Sequence, residues 1–109
     1  MPELERFQYI RDELGDDDRF TEIKTKLTKQ NIINVEMSDC LLILNYDHRG
    51  YKNYVGGNSF LEMAIAFYLK KDIFLLNAIP EGMTYTEEIK ALKPTIVGSL
   101  DNLLINYLS

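Results

Sequence analysis

The sequence predicts one small α/β domain built on a parallel sheet, and three observations carry that expectation. First, Cys40 to Tyr46 is a continuous apolar run set between Ser38-Asp39 and Asp47. A strand without polar alternation is buried on both faces, as in parallel sheets covered by helices. Second, a similar run from Ile73 to Leu76 follows a strongly apolar helical segment. Third, helical and strand patterns alternate from there to the end of the chain, which calls for right-handed crossovers and parallel pairing. The 109 residues make one domain, and a balance of 46% hydrophobic and 27% charged residues is ordinary for a globular chain with one core.

Taken in order, Pro2 to Leu14 reads as a helix, with Leu4, Phe7, Ile10 and Leu14 at helical spacing and Gly15 as its stop. Asp16-Asp17-Asp18 supplies an N-cap and negative charge to a second helix that reaches about Met37 with Phe20, Ile23 and Leu27 on one face. The apolar strand Cys40–Tyr46 leads into an eleven-residue polar loop, Asp47 to Gly57, holding three glycines and two tyrosines. An apolar helix spans roughly Phe60 to Leu69 and is closed by Lys70-Lys71, cations at its negative end. Ile73–Leu76 is a strand, Pro80 and Gly82 mark a turn, and Thr84–Leu92 reads as a short helix ended before Pro94. Thr95-Ile96-Val97 is a third strand, and Leu100–Leu108 a closing helix with Leu100, Leu103, Leu104, Tyr107 and Leu108 on its apolar face. The expected architecture is therefore a Rossmann-like or flavodoxin-like three-layer α/β fold, N-terminally shortened because two helices stand where such domains begin with a strand. A thin sheet of this kind leaves its first strand as an apolar edge, so a homo-oligomer is expected.

Charge narrows the partners. With 17 acids against 12 bases the net charge is −5, and no Lys/Arg cluster in the sequence offsets it, so nucleic acid is a poor partner. No apolar run approaches the ~18 residues that a membrane helix needs, and the N-terminus lacks a basic-then-apolar signal, so a cytoplasmic location without a membrane partner is expected. The single cysteine, Cys40, allows no internal disulfide and reads as an inert core thiol. No His/Cys/Asp grouping has metal-ligand spacing, and no cofactor fingerprint is present: both the G-x-G-x-x-G pattern and the P-loop lysine are missing.

In open parallel sheets, ligands bind beyond the carboxyl ends of the strands. The loop after Cys40–Tyr46 lies there and delivers Gly56-Gly57-Asn58-Ser59-Phe60-Leu61-Glu62 into a helix N-terminus. Glycines allow close approach to the backbone, and the free N–H groups of a helix start suit an anion or a polar sugar. Glu62 is the only ionisable side chain of that helix apart from its end, the tyrosine aside, and Ile65, Ala66 and Leu69 follow it at helical spacing. A carboxylate on such a face either has a task or is hydrogen-bonded. Ser59-Phe60-Leu61-Glu62 also fits the S-x-x-E capping box, which would make Glu62 a partner of the N-cap amide. Asn45 and Asp47, at the carboxyl end of the strand, either meet a ligand or shape the turn. His48, the sole histidine, reads as a solvated loop residue. Tyr51 and Tyr54 could lid a pocket or simply be exposed.

Asp39-Cys40-Leu41-Leu42-Ile43-Leu44-Asn45, Gly57-Asn58-Ser59-Phe60-Leu61-Glu62-Met63-Ala64-Ile65-Ala66 and Lys71-Asp72-Ile73-Phe74-Leu75-Leu76 together resemble the nucleoside 2-deoxyribosyltransferase superfamily over about Asn31 to Val97. There, an acid-led apolar strand precedes a loop and a helix reading roughly E-[LMI]-G-x-A, then a further apolar strand; here Glu62-Met63-Ala64-Ile65-Ala66 occupies the helix motif. The resemblance implies that Glu62 is a nucleophile toward the anomeric carbon of a deoxyribosyl group, by the logic of a retaining glycosidase and without a cofactor. A nucleoside or nucleotide substrate is then expected, with Asn45, Asp47, Gly56, Gly57, Asn58 and Ser59, at the strand end and helix start, as the candidates to hold it. Gly56 and Asn31 stand where the family tends to have acids, and the family's opening strand-loop-helix has no counterpart, so Asp47 or Asn58 would have to replace a lost acid. A non-catalytic nucleotide-binding module, or a truncated remnant without the pocket, is the alternative. Gly56-Gly57 ahead of a glutamate is also similar to the P-G-G-x-G-T-x-x-E motif of the nucleotide 5′-monophosphate phosphoribohydrolases, with Glu62 one residue closer to the glycines.

Overall fold

The computed structural model describes residues 18–108; the helix expected over residues 2–14 and the aspartates at 16 and 17 lie outside them. The described residues divide into two compact units, one up to Ile33 and one from Asn34 on. Helix α1, Asp18–Met37, carries Asp18 in its first turn, where an acid meets the positive end of the helix. Within the first unit Phe20 is buried and Ile23 and Leu27 are half-buried, the apolar stripe that the spacing predicts. The Thr25 and Thr28 hydroxyls donate 2.9 Å bonds to the carbonyls of Thr21 and Lys24, so these β-branched residues satisfy their hydroxyls within the helix.

The second unit holds a three-stranded parallel sheet in the order β1-β2-β3, made of β1 (Cys40–Ile43), β2 (Asp72–Leu75) and β3 (Thr95–Ile96). Cys40 pairs with Asp72 and Ile43 with Leu75, while Phe74 and Leu75 pair with Thr95 and Ile96. The connections run through α2 (Gly57–Tyr68) and α3 (Thr86–Ala91), and α4 (Leu100–Leu108) follows β3. This is a small Rossmann-like α/β fold, as the alternation of patterns predicts. β2 is central, and Ile73, Phe74 and Leu75 are its buried residues. They join Val35, Ile43, Val55, Met63, Ala66 and Ile89 in the core, with α2 laid across β1 and β2.

β1 is shorter than the apolar run predicts. Sheet pairing ends where the Leu76 amide donates to the Ile43 carbonyl, and the chain then folds back so that the Tyr46 amide bonds the Leu44 carbonyl at 3.0 Å. This i to i+2 bond is a γ-turn at a strand end, and it turns Leu44 and Tyr46 outward while Asn45 goes in. Cys40 is half-buried and unpaired.

The end of α2 explains Lys70 and Lys71. Lys70 sits at φ +60°, its amide bonds Phe67 O at 3.1 Å, and the Lys71 amide bonds Ala66 O at 2.9 Å. That is a Schellman ending with lysine where glycine is usual. The Lys71 ammonium does not serve α2. It donates to the carbonyls of Glu36, at 2.7 Å, and Ser38, closing the last turn of α1. A cation expected at one helix end thus neutralises another.

Leu75 is fully buried in the central strand, whereas Leu42 on the edge strand is only half-buried. Leu75→Ala should cost ~2–5 kcal/mol, the range for a buried leucine, and Leu42→Ala distinctly less. Urea unfolding of both variants checks this, and equal losses would contradict the central placement of β2.

Candidate functional site

At the carboxyl edge of the sheet, Asn45 is fully buried. Its amide nitrogen donates to Asn77 O at 2.9 Å and Ala78 O at 3.1 Å, with a longer 3.4 Å approach to Asn53 O. Its side-chain oxygen accepts the Asn77 amide at 2.8 Å, and Asn77 Nδ2 returns a 3.1 Å bond to Asn45 O. Asn45 is thereby committed to joining the end of β1, the end of β2 and the loop between β1 and α2. This is the turn-shaping of the two roles open to it, and it leaves no side-chain donor for a ligand.

The loop expected over Asp47–Gly57 is a small ordered hairpin. His48 and Tyr51 exchange both backbone bonds, at 3.0 and 2.9 Å, across Arg49 (φ +51°) and Gly50 (φ +79°). Two successive positive φ values in a two-residue turn are the I′ geometry, which accounts for Gly50. Asp47 Oδ1 accepts the Asn53 amide at 2.9 Å, fixing the far end of the hairpin, and the Tyr54 amide bonds Tyr46 O at 3.0 Å. The hairpin gathers aromatic rings: His48 and Tyr54 have centroids 5.2 Å apart, and Tyr51 and Tyr54 stack at 6.0 Å.

Two residues that the sequence did not single out complete the group. The Tyr85 hydroxyl donates to Val55 O at 2.6 Å, and its ring stacks on Phe60 at 4.9 Å. Burial, then the neighbouring Tyr54 and Tyr51, push the Tyr85 phenol above its ordinary value, so it remains a neutral donor at physiological pH. No pattern around Thr84-Tyr85-Thr86 marks this; only the fold brings Tyr85 thirty residues back to the loop.

α2 begins at Gly57, earlier than the capping box predicts, with Gly56 as N-cap and no side-chain cap bond. Ser59 is therefore the third helical residue, and Glu62 lies in the second turn, out of reach of the cap amide. Gly56 O accepts the Phe60 amide at 2.9 Å, and the N–H groups of Gly57, Asn58 and Ser59 have no acceptor among the described residues. Neither Gly56 nor Gly57 has a positive φ. A Cβ on Gly57 would meet nothing, so the backbone there is open, while one on Gly56 would touch the Tyr54 ring.

Glu62 is half-buried, with Ala66 buried and Ile65 and Leu69 half-buried after it. No hydrogen bond or ion pair engages its carboxyl among the described residues. Burial raises its pKa above the ordinary carboxylate value. Asn58 is exposed and Ser59 half-buried on the same first turn. The structure thus brings Gly56, Gly57, Asn58, Ser59 and Glu62 onto one helix start beside the aromatic hairpin. Asn45 and Asp47 serve as its anchors. A partnerless, poorly solvated carboxylate near open amides can act as a nucleophile or a base. Among the described residues no cluster of His, Cys, Asp and Glu could hold a metal, and no helix is long and apolar enough to cross a membrane.

Asn45→Ala would remove the partner of the Asn77 amide and of two carbonyls at a part-buried site, so ~2–4 kcal/mol of stability should be lost, more than a single net hydrogen bond is worth. Thermal and urea unfolding measure it; a loss below that of Leu42→Ala would show that water replaces the clamp without penalty. Set against family models, curated proteins and solved structures, the chain matches none.

Proposed function

We propose that this chain is an N-glycosidic enzyme, a transferase or hydrolase of (deoxy)nucleosides or nucleotides, with Glu62 as its carboxylate nucleophile. The observation that carries the proposal is the state of Glu62: half-buried, without a hydrogen-bond or ionic partner, and not a helix cap. Nothing structural accounts for a carboxylate kept there, and a poorly solvated anion is the form that attacks a developing oxocarbenium centre best. The open amides of Gly57, Asn58 and Ser59 suit sugar hydroxyls or a 5′-phosphate. Tyr51 and Tyr54 offer a face on which a base can stack.

In the reaction, a Glu62 oxygen bonds to the anomeric carbon as the carbon–nitrogen bond breaks. The base departs with that electron pair and takes a proton from solvent. Water then attacks the glycosyl ester and frees the sugar, or the nitrogen of a second base attacks and gives a new nucleoside, with Glu62 regenerated as the anion in either case. Self-association belongs to the same reading: β1 is a sheet edge, paired only with β2 among the described residues, and a second copy would cover it. Light scattering should show a dimer or larger species, and a monomer at high concentration would remove this part.

A non-catalytic nucleotide-binding module is the second reading, favoured by one fact: no described side chain holds Glu62 in a fixed orientation. Glu62→Gln separates the two. Each 2′-deoxynucleoside or its monophosphate is incubated with protein, with and without a second free base, and the products are resolved by chromatography. Wild-type chain should release base or form a new nucleoside, and Glu62→Gln should lower that rate by roughly 10³-fold or more, as loss of a nucleophile does. Wild-type chain that binds these compounds but turns none over supports the binding module instead. Stability supplies a check independent of substrate. A pKa raised in the folded state means the folded chain binds more protons between the unfolded and folded values, so stability falls as pH rises through that window. Glu62→Gln should remove that slope without destabilising the chain at neutral pH; a marked loss would mean that Glu62 is a structural partner after all.

A further inference from the structure

A groove of about 610 Å³ opens at the opposite, amino edge of the sheet, lined by Phe67, Tyr68, Lys70, Lys71, Asp72, Ile73, Leu92, Lys93 and Thr95. Its size is that of a small-molecule site. Its composition is unusual for this chain. It draws together three of the 12 basic residues with one of the 17 acids, in a protein of net charge −5.

The geometry of these groups is set by backbone, not by chance exposure. Lys70 and Lys93 both sit at positive φ, +60° and +52°, each just past the end of a helix, α2 and α3. Such a conformation costs a lysine about 1 kcal/mol that a glycine would avoid. If the lysines served only the helix ends, their ammonium groups would bond the last carbonyls. They do not: neither side chain makes a hydrogen bond or ion pair among the described residues, Asp72 included. Lys71 is already taken by the carbonyls of Glu36 and Ser38. The Thr95 hydroxyl is likewise without a partner. In the same lining Phe67 and Tyr68 are 52% and 83% exposed, and Ile73 and Leu92 add apolar surface.

We propose that this groove is a binding site for a small aromatic phosphate ester. Two unpaired ammonium groups match a phosphate dianion, where a monocarboxylate would leave one of them idle. Thr95 adds a neutral donor, and the Phe67 and Tyr68 rings supply a face for a flat apolar body. The site lies across the sheet from the Glu62 loop and does not depend on what that loop does.

The test uses the full chain, labelled with ¹⁵N, titrated with phenyl phosphate, inorganic phosphate, benzoate and phenol while backbone amide shifts are followed. Phenyl phosphate should move the amides of Lys70, Lys93 and Thr95 along one saturable curve that weakens with added salt. Inorganic phosphate, benzoate and phenol should each bind at least tenfold more weakly. Lys70→Gln combined with Lys93→Gln should weaken phenyl phosphate at least tenfold, and Tyr68→Ala should weaken it while leaving inorganic phosphate unchanged. Both changes are at exposed positions, and the unfolding midpoint of each variant is recorded beside its affinity. Non-saturating shifts, affinity untouched by the double substitution, or inorganic phosphate binding as tightly as the ester would each overturn the proposal.

Discussion

Asn45, fully buried, and Asn77, half-buried, hold one another by side chain to backbone and backbone to side chain in both directions. They stand two residues past the ends of β1 and β2. A parallel pair has no hairpin to fix its register, so something at the strand ends must do so, and a reciprocal amide clamp does it while leaving no buried side-chain nitrogen or oxygen unsatisfied among the described residues. The same side chain reaches the loop at Asn53, so the geometry of the candidate site inherits the precision of the sheet.

From that anchor the loop acquires its shape by local chemistry. The γ-turn at Leu44–Tyr46 reverses which residues face inward, the Arg49-Gly50 turn makes a hairpin, and Asp47 closes it onto Asn53. Gly56 then starts α2 with no side chain to occupy its first amides. The outcome is a helix start whose first amides no side chain occupies, with Glu62 one turn above it. Open donors and an unpaired carboxylate in one small region are the reverse of what folding alone favours, and that contrast, more than any single distance, is why the region reads as functional.

Much of the architecture was legible because it rests on long-range periodicity. The apolar runs at Cys40 and Ile73 and the helical stripes at Phe60 and Leu100 each carry one pattern over enough residues to declare their type. Boundaries were less legible for identifiable reasons. Tyr46 continues an apolar run yet leaves the strand, because a single backbone bond to Leu44 outweighs the pattern. Ser59-x-x-Glu62 spells a capping box, yet α2 is capped three residues earlier, at Gly56, since glycine can start a helix without any side chain to announce it. At the site, the helix start and Glu62 were visible from spacing, but Tyr85 was not, nor was the placing of Lys70 and Lys93 along one groove at the other edge of the sheet. Both depend on segments brought together by β2 and β3, and no local rule encodes that.

The loop's many tethers carry a kinetic consequence. Its backbone is bonded to Tyr46 just past β1, to the end of β2 through Asn45, to itself across the hairpin and to Tyr85 through Val55, so it cannot swing away as a lid without breaking several of these bonds at once. Motion of the exposed rings is a different matter, because side-chain rotation at the surface runs on picoseconds to nanoseconds, whereas concerted loop opening is far slower. On the function proposed above, access would be governed by side-chain rotation at exposed rings such as Tyr51 rather than by opening of the loop, with the amides of the helix start held in place throughout.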